Sequence, residues 1–153
     1  MTDYTLIHEY IRKYPNDFKI NPIASEKTDQ LVQEYPDVPQ DYLDFVRQFG
    51  AMMIGNSGYM LYGRFTDPHK IFDPGVRAFP DVVLIGDDFA GASLGYRINK
   101  QCSLNSPVWE LIEISCENYE VEPAYLFDDD DLNDAENFKD WIDSYIKYWF
   151  SDC

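Results

Sequence analysis

Histidine, cysteine and cationic residues are all scarce in this chain. Two histidines, His8 and His69, and three cysteines, Cys102, Cys116 and Cys153, are spread over 153 residues. No Cys-x-x-Cys pair and no Cys/His set at zinc spacing occurs, which argues against a structural metal. An odd, sparse set of thiols reads as reduced cysteine, with Cys102 and Cys116 as small core residues. The two histidines fall in different predicted elements, and no serine or cysteine lies in a nucleophile-elbow pattern. A catalytic dyad is therefore not expected. Residues 86–92 carry glycines but neither the dinucleotide pattern nor a P-loop lysine. The expectation is a protein that is not an enzyme and uses no cofactor and no metal.

Long apolar runs are missing as well. No stretch approaches the roughly 20 residues of a membrane-spanning helix. The N-terminus, Met1-Thr2-Asp3-Tyr4, lacks the basic and apolar regions of a signal peptide. A cytoplasmic location with no membrane contact is expected.

The shortage of cations matters most. Twelve Lys and Arg stand against 28 Asp and Glu, a formal net charge of −16. Nucleic acid binding needs the opposite sign, because phosphate contacts supply most of the affinity. A basic protein partner is the natural complement, and a field of this size speeds encounter with one. The acid is also unevenly placed: residues 117–153 hold twelve carboxylates and two lysines, a net of −10, against −6 for residues 1–116. Uniform solubilisation would not concentrate it so.

What is abundant is packing material. The apolar share is 45% and the aromatic share 16%, too much for a disordered chain, and the length suits one domain spanning residues 1–153. Ile7, Tyr10, Ile11 and Tyr14 recur at helical spacing, which predicts a helix over residues 3–14. A second helix is expected from Ser25, as N-cap, to the residues before Pro36. Tyr42, Phe45, Val46 and Phe49 form an apolar stripe between Pro39 at the helix start and Gly50 at a left-handed C-cap. Strands are expected over residues 59–62, 82–85, 92–98, 108–114 and 118–122, with 108–114 central because both its faces are apolar apart from Glu110 and Glu113. Phe138, Trp141, Ile142, Tyr145, Ile146 and Trp149 mark a closing amphipathic helix, capped by Asn133 or Asp134, with Lys139, Asp140, Asp143 and Lys147 facing water. Together these predict an α+β domain: a mostly antiparallel central sheet flanked by N-terminal helices and a C-terminal amphipathic helix.

The acidic candidates for partner binding are Asp87 and Asp88 in a glycine-bounded turn, Glu120 and Glu122, the run Asp128, Asp129, Asp130 and Asp131, and Asp134. Asp129, Asp131 and Asn133 have the one-three-five spacing of a calcium loop. The sixth position is Asp134 where glycine is needed, however, and the twelfth is Asp140 and not Glu. Acids ahead of a helix also favour its positive N-terminal end.

Several of these features fall into one order. Val38-Pro39-Gln40-Asp41-Tyr42-Leu43-Asp44-Phe45-Val46-Arg47-Gln48-Phe49-Gly50 resembles the "leucine-proline-x-x-tyrosine, then phenylalanine, then asparagine-glycine" helix of the SUKH superfamily, which includes the yeast Smi-one/Knr-four cell-wall regulators. Val83-Leu84-Ile85-Gly86-Asp87-Asp88 is similar to its strand and turn, Pro107-Val108-Trp109 to the start of its next strand, and Phe138-Lys139-Asp140-Trp141-Ile142 to its last helix. The match spans about residues 24–149. Val38 replaces the family's leucine, and Ala51 follows Gly50 where asparagine-glycine-glycine is common. The resemblance implies a non-enzymatic binding domain, and its bacterial members look like immunity proteins that neutralise toxins, many of them nucleases with basic clefts. A regulatory scaffold of the cell-wall type is the alternative it implies. A third reading, a glycosidase using two carboxylates, needs a pair at fixed separation across a cleft.

Overall fold

The computed structural model describes residues 1–73, 75, 78–99, 108–115, 117–127 and 133–151. Among these, four α-helices, α1 (Thr5–Lys13), α2 (Ser25–Glu34), α3 (Gln40–Gln48) and α4 (Phe138–Trp149), accompany seven strands. The strands are β1 (Phe18–Asn21), β2 (Ala51–Ile54), β3 (Tyr59–Thr66), β4 (Val82–Asp87), β5 (Ser93–Asn99), β6 (Val108–Ile114) and β7 (Val121–Pro123). They pair in sequence order, each antiparallel to the next. The α+β class and the flanking helices expected from the sequence are both present. No helix among the described residues is long and apolar enough to cross a membrane.

The helices pack on one face of the sheet. Tyr42, Phe45 and Val46 of α3 and Phe138, Trp141, Ile142 and Ile146 of α4 share a core with Met52, Ile54, Tyr59, Leu61, Ile85, Leu94 and Leu111. Aromatic edges hold the joints: Tyr42 meets Phe138 at 5.2 Å, and Phe45 meets it at 5.0 Å. The opposite face carries a smaller cluster of Val82, Leu84, Ile112 and Ile114, covered by Phe72 and Phe79 from the β3–β4 connection. Burial on both faces therefore comes from this connection, which explains why β4 and β6 read as continuous apolar runs.

Five expectations need correction. β6 lies one strand in from the edge, not at the centre, because only the three-residue β7 follows it. The last strand starts at Val121, since Tyr119 adopts φ 57° in the preceding turn. The cap of α4 is Asn137, whose side chain accepts from Asp140 N at 2.8 Å; Asp134 instead sits in a bridge opposite Tyr125. Ser25 is already helical, and no side chain caps α2. On α4, Asp143 is largely covered and accepts from Lys139 Nζ at 2.5 Å, whereas Trp149 is 39% exposed.

Candidate functional site

The turn between β4 and β5 sends its two aspartates in different directions. Asp87 Oδ1 accepts from Phe89 N at 3.0 Å, and its Oδ2 accepts from the Tyr62 hydroxyl at 2.5 Å. It lines a hollow of about 340 Å³ with Ile71, Phe72, Asp73, Phe89 and Tyr119, on the sheet face away from the helices. Asp88 Oδ1 accepts from Ala90 N at 2.8 Å and Ala92 N at 3.0 Å. These bonds hold Phe89 at φ 63°, a left-handed conformation that a bulky side chain rarely adopts, with its ring 47% exposed. No donor among the described residues reaches Asp88 Oδ2.

Asp88 instead acts on Glu113, a carboxylate of the helix side. In β6, Trp109 and Leu111 pack into the helix-side core, so by strand alternation Glu113 points to the same side. The ladder then sets Glu122 of β7 directly opposite Glu113. Like charges placed so are destabilising. Burial first, then Asp88 and Glu122, push the Glu113 carboxyl up to about 7. None of the charges acting on it opposes that shift.

Tyrosines close the site. Tyr59 is 1% exposed, its ring lies 4.9 Å from Trp141 and 5.1 Å from Tyr145, and its hydroxyl has no hydrogen-bond partner. Burial raises the Tyr59 hydroxyl well above its ordinary pKa, and the charges of Glu113 and then Asp88 are the next causes. Tyr145 is raised by burial and then Asp88, and Tyr125 by burial and then Glu113, Asp88 and Glu122. Gly58 makes room for this arrangement: a Cβ there would lie 2.9 Å from Tyr145 Oη and 2.6 Å from Ile54 O.

Of the acids singled out in the sequence, Asp88 and Glu122 therefore both act on Glu113, whereas Asp87 bonds Tyr62 on the other sheet face. Glu120 is exposed in the β6–β7 turn, where its N–H donates to Asn118 Oδ1, and Asp134 is exposed beside Tyr125. Asp128, Asp129, Asp130 and Asp131 lie outside the described residues. Glu113, which joins the cluster, was legible only as a polar interruption in an apolar strand. His8 packs against Phe49 at 4.8 Å and His69 lies 6.3 Å from Phe79. Among the described residues, no three His, Cys, Asp or Glu side chains converge to hold a metal ion.

The Glu113 environment makes stability depend on pH. The folded chain keeps this proton to about pH 7, against an ordinary value of 4.5. Between those values the folded state binds more protons than the unfolded state, so stability falls as pH rises and levels off above about 7. Glu113→Gln is expected to remove that slope and to stabilise the chain by about 1–3 kcal/mol at alkaline pH. Urea melts of both proteins at acid and alkaline pH check this, and parallel slopes would contradict it.

Set beside known families, curated proteins and solved structures, this chain matches none.

Proposed function

We propose that this chain is a binding domain that neutralises a basic protein toxin, as an immunity protein does, and that it turns over no substrate. The observation that carries this reading is uncompensated acid: a net charge of −10 over residues 117–153. Within the fold Glu122 of that segment stands opposite Glu113 in the ladder, and burial, Asp88 and Glu122 all push the Glu113 carboxyl up. A nuclease cleft, which grips phosphates with Lys and Arg, is a fitting partner, because carboxylates can stand where phosphates would lie. The resemblance to bacterial SUKH domains points the same way.

The test is stopped-flow association with a panel of purified basic nuclease toxin domains, across salt from about 50 to about 500 mM. The on-rate is expected to fall by about tenfold or more over that range. Changing the exposed Glu117, Glu120 and Asp134 to their amides should slow association and flatten the salt dependence, with melting unaltered. A panel with no binder, or an on-rate indifferent to salt, rejects the reading. Turnover of generic ester, phosphate or glycoside substrates that a point change here abolishes would reject its non-catalytic part.

A further inference from the structure

We propose that the hollow on the sheet face away from the helices seats one lysine side chain of the basic protein partner, with its ammonium held between Asp87 and Ser93. This rests on the reading of the chain as a binder of a basic protein, and it names a contact that holds the partner after encounter.

Separate segments build this cavity of about 340 Å³. Ile71 and Phe72 come from the β3–β4 connection, Phe89 from the β4–β5 turn, Tyr119 from the β6–β7 turn, and Asp87 and Ser93 from the ends of β4 and β5. Register places the last two. They are directly opposite in the β4–β5 ladder, and Ser93 is also opposite Ile114, a member of the far-face cluster. Leu94 and Tyr96 pack into the helix-side core, so strand alternation turns Ser93 toward the hollow. Asp87 reaches the same face, where Tyr62 packs on the far-face cluster and donates to it.

Three observations point to a cation on an apolar stem. First, the charge in the hollow has one sign: Asp73 and Asp87 line it, and no Lys or Arg among the described residues does. Second, Ser93 is 2% exposed and lines the hollow, yet its hydroxyl bonds to no described residue. A buried hydroxyl is costly until it is paired, and its lone pairs suit an N–H donor. Third, the walls are aromatic and apolar. Phe89 and Ile71 are exposed there, and the Tyr119 ring meets Phe72 edge-on at 5.7 Å. Such walls attract a cation to their ring faces and cover its methylene stem. Arginine fits less well. Each oxygen of Asp87 already accepts one bond, from Phe89 N or from the Tyr62 hydroxyl, so the paired contacts of a guanidinium fork are not free. An ammonium is a compact charge that needs only single lone pairs from separate acceptors.

The experiment is an NMR titration of the full chain, following the backbone amides of Phe89, Ser93 and Tyr119. The probes are lysine, arginine and norleucine, each capped as the N-acetyl methylamide. The lysine probe should shift all three amides to saturation, and the arginine probe should bind several-fold more weakly. Norleucine, with a similar stem and no charge, should bind roughly tenfold more weakly or worse. Ser93→Ala should weaken the lysine probe roughly tenfold, and Asp87→Asn should abolish its binding. Phe89→Gly should weaken it several-fold with melting unharmed, because glycine adopts φ 63° freely. Glu136→Gln, at an exposed carboxylate outside the hollow, should change nothing. Norleucine or arginine binding as tightly as lysine overturns the site. So do three amides that no probe moves, and a folded Ser93→Ala chain that binds lysine as the parent does. Those outcomes leave salt-dependent association with a basic toxin intact. A toxin panel with no binder beside a saturable lysine titration would reject the toxin reading alone, so the two fail separately.

Discussion

Trp141→Ala is expected to lower the unfolding free energy by about 3–5 kcal/mol, the range for emptying a large aromatic from a core that cannot collapse. Trp141 is 2% exposed on α4. Its ring stacks on Tyr145 at 5.7 Å and on Phe138 at 6.0 Å, with the edges of Tyr59 at 4.9 Å and Phe127 at 5.9 Å. Removing it leaves four aromatic rings facing a void, and each also loses the edge or stacking contact that such pairs add beyond burial. For a domain of this length the loss corresponds to about 6–20 °C in melting temperature. Urea and thermal denaturation followed by circular dichroism read it directly. A midpoint that barely moves would show that another face of α4 meets the sheet. The effect reaches the candidate site too, because Tyr59 is held between Trp141 and Tyr145.

Gly50→Ala is the second large effect, and its cause is backbone rather than side chain. Gly50 ends α3 at φ +83° and turns the chain directly into β2. A Cβ there would lie 2.3 Å from Asn21 O, 2.7 Å from Ile23 N and 2.8 Å from Pro22 Cα. All three are main-chain atoms at the β1–α2 joint, so no rotamer change relieves the clash. Left-handed strain and forced backbone movement together are expected to cost about 2–5 kcal/mol. The comparison is Gly75→Ala, where an added Cβ would meet, among the described residues, only the Asp73 carboxylate, at 3.2 Å. That change should stay within about 0.5 kcal/mol. Chemical denaturation of both variants decides the matter, and similar midpoints would contradict the close approach at Gly50.

The elements that could be read in advance are those whose apolar residues repeat with one period. Helices α1, α3 and α4 show the 3.6-residue repeat, and β5 alternates cleanly until its end. Strands β1 and β2 were not anticipated, for two physical reasons. Each has four residues, and Ala51-Met52-Met53-Ile54 contains residue types with little intrinsic preference for a strand. Their conformation is decided by pairing: Phe18 opposite Ile54, and Met52 opposite Leu61. The α4 cap was misplaced because Asn133, Asp134 and Asn137 are equally good caps by type. The bridge between Tyr125 and Asp134, with Ala135 N donating to Ala124 O, commits that part of the chain to pairing and leaves the cap to Asn137.

The site divides along the same line. Composition alone determined the sign of the chain's own charge, since a net charge of −16 needs no coordinates. It also marked the C-terminal quarter as the acidic part, and the glycine-bounded aspartates as a turn. Which carboxylates meet was decided by tertiary structure. Asp87 and Asp88 are neighbours in sequence, yet Asp87 bonds Tyr62 on one side of the sheet while Asp88 acts on Tyr59 and Glu113 on the other. Glu113 and Glu122 are nine positions apart, and a shift of one residue in the β6–β7 ladder would put them on opposite faces. Charge is a property each residue carries with it, whereas proximity is set by strand register and by which face the helices cover.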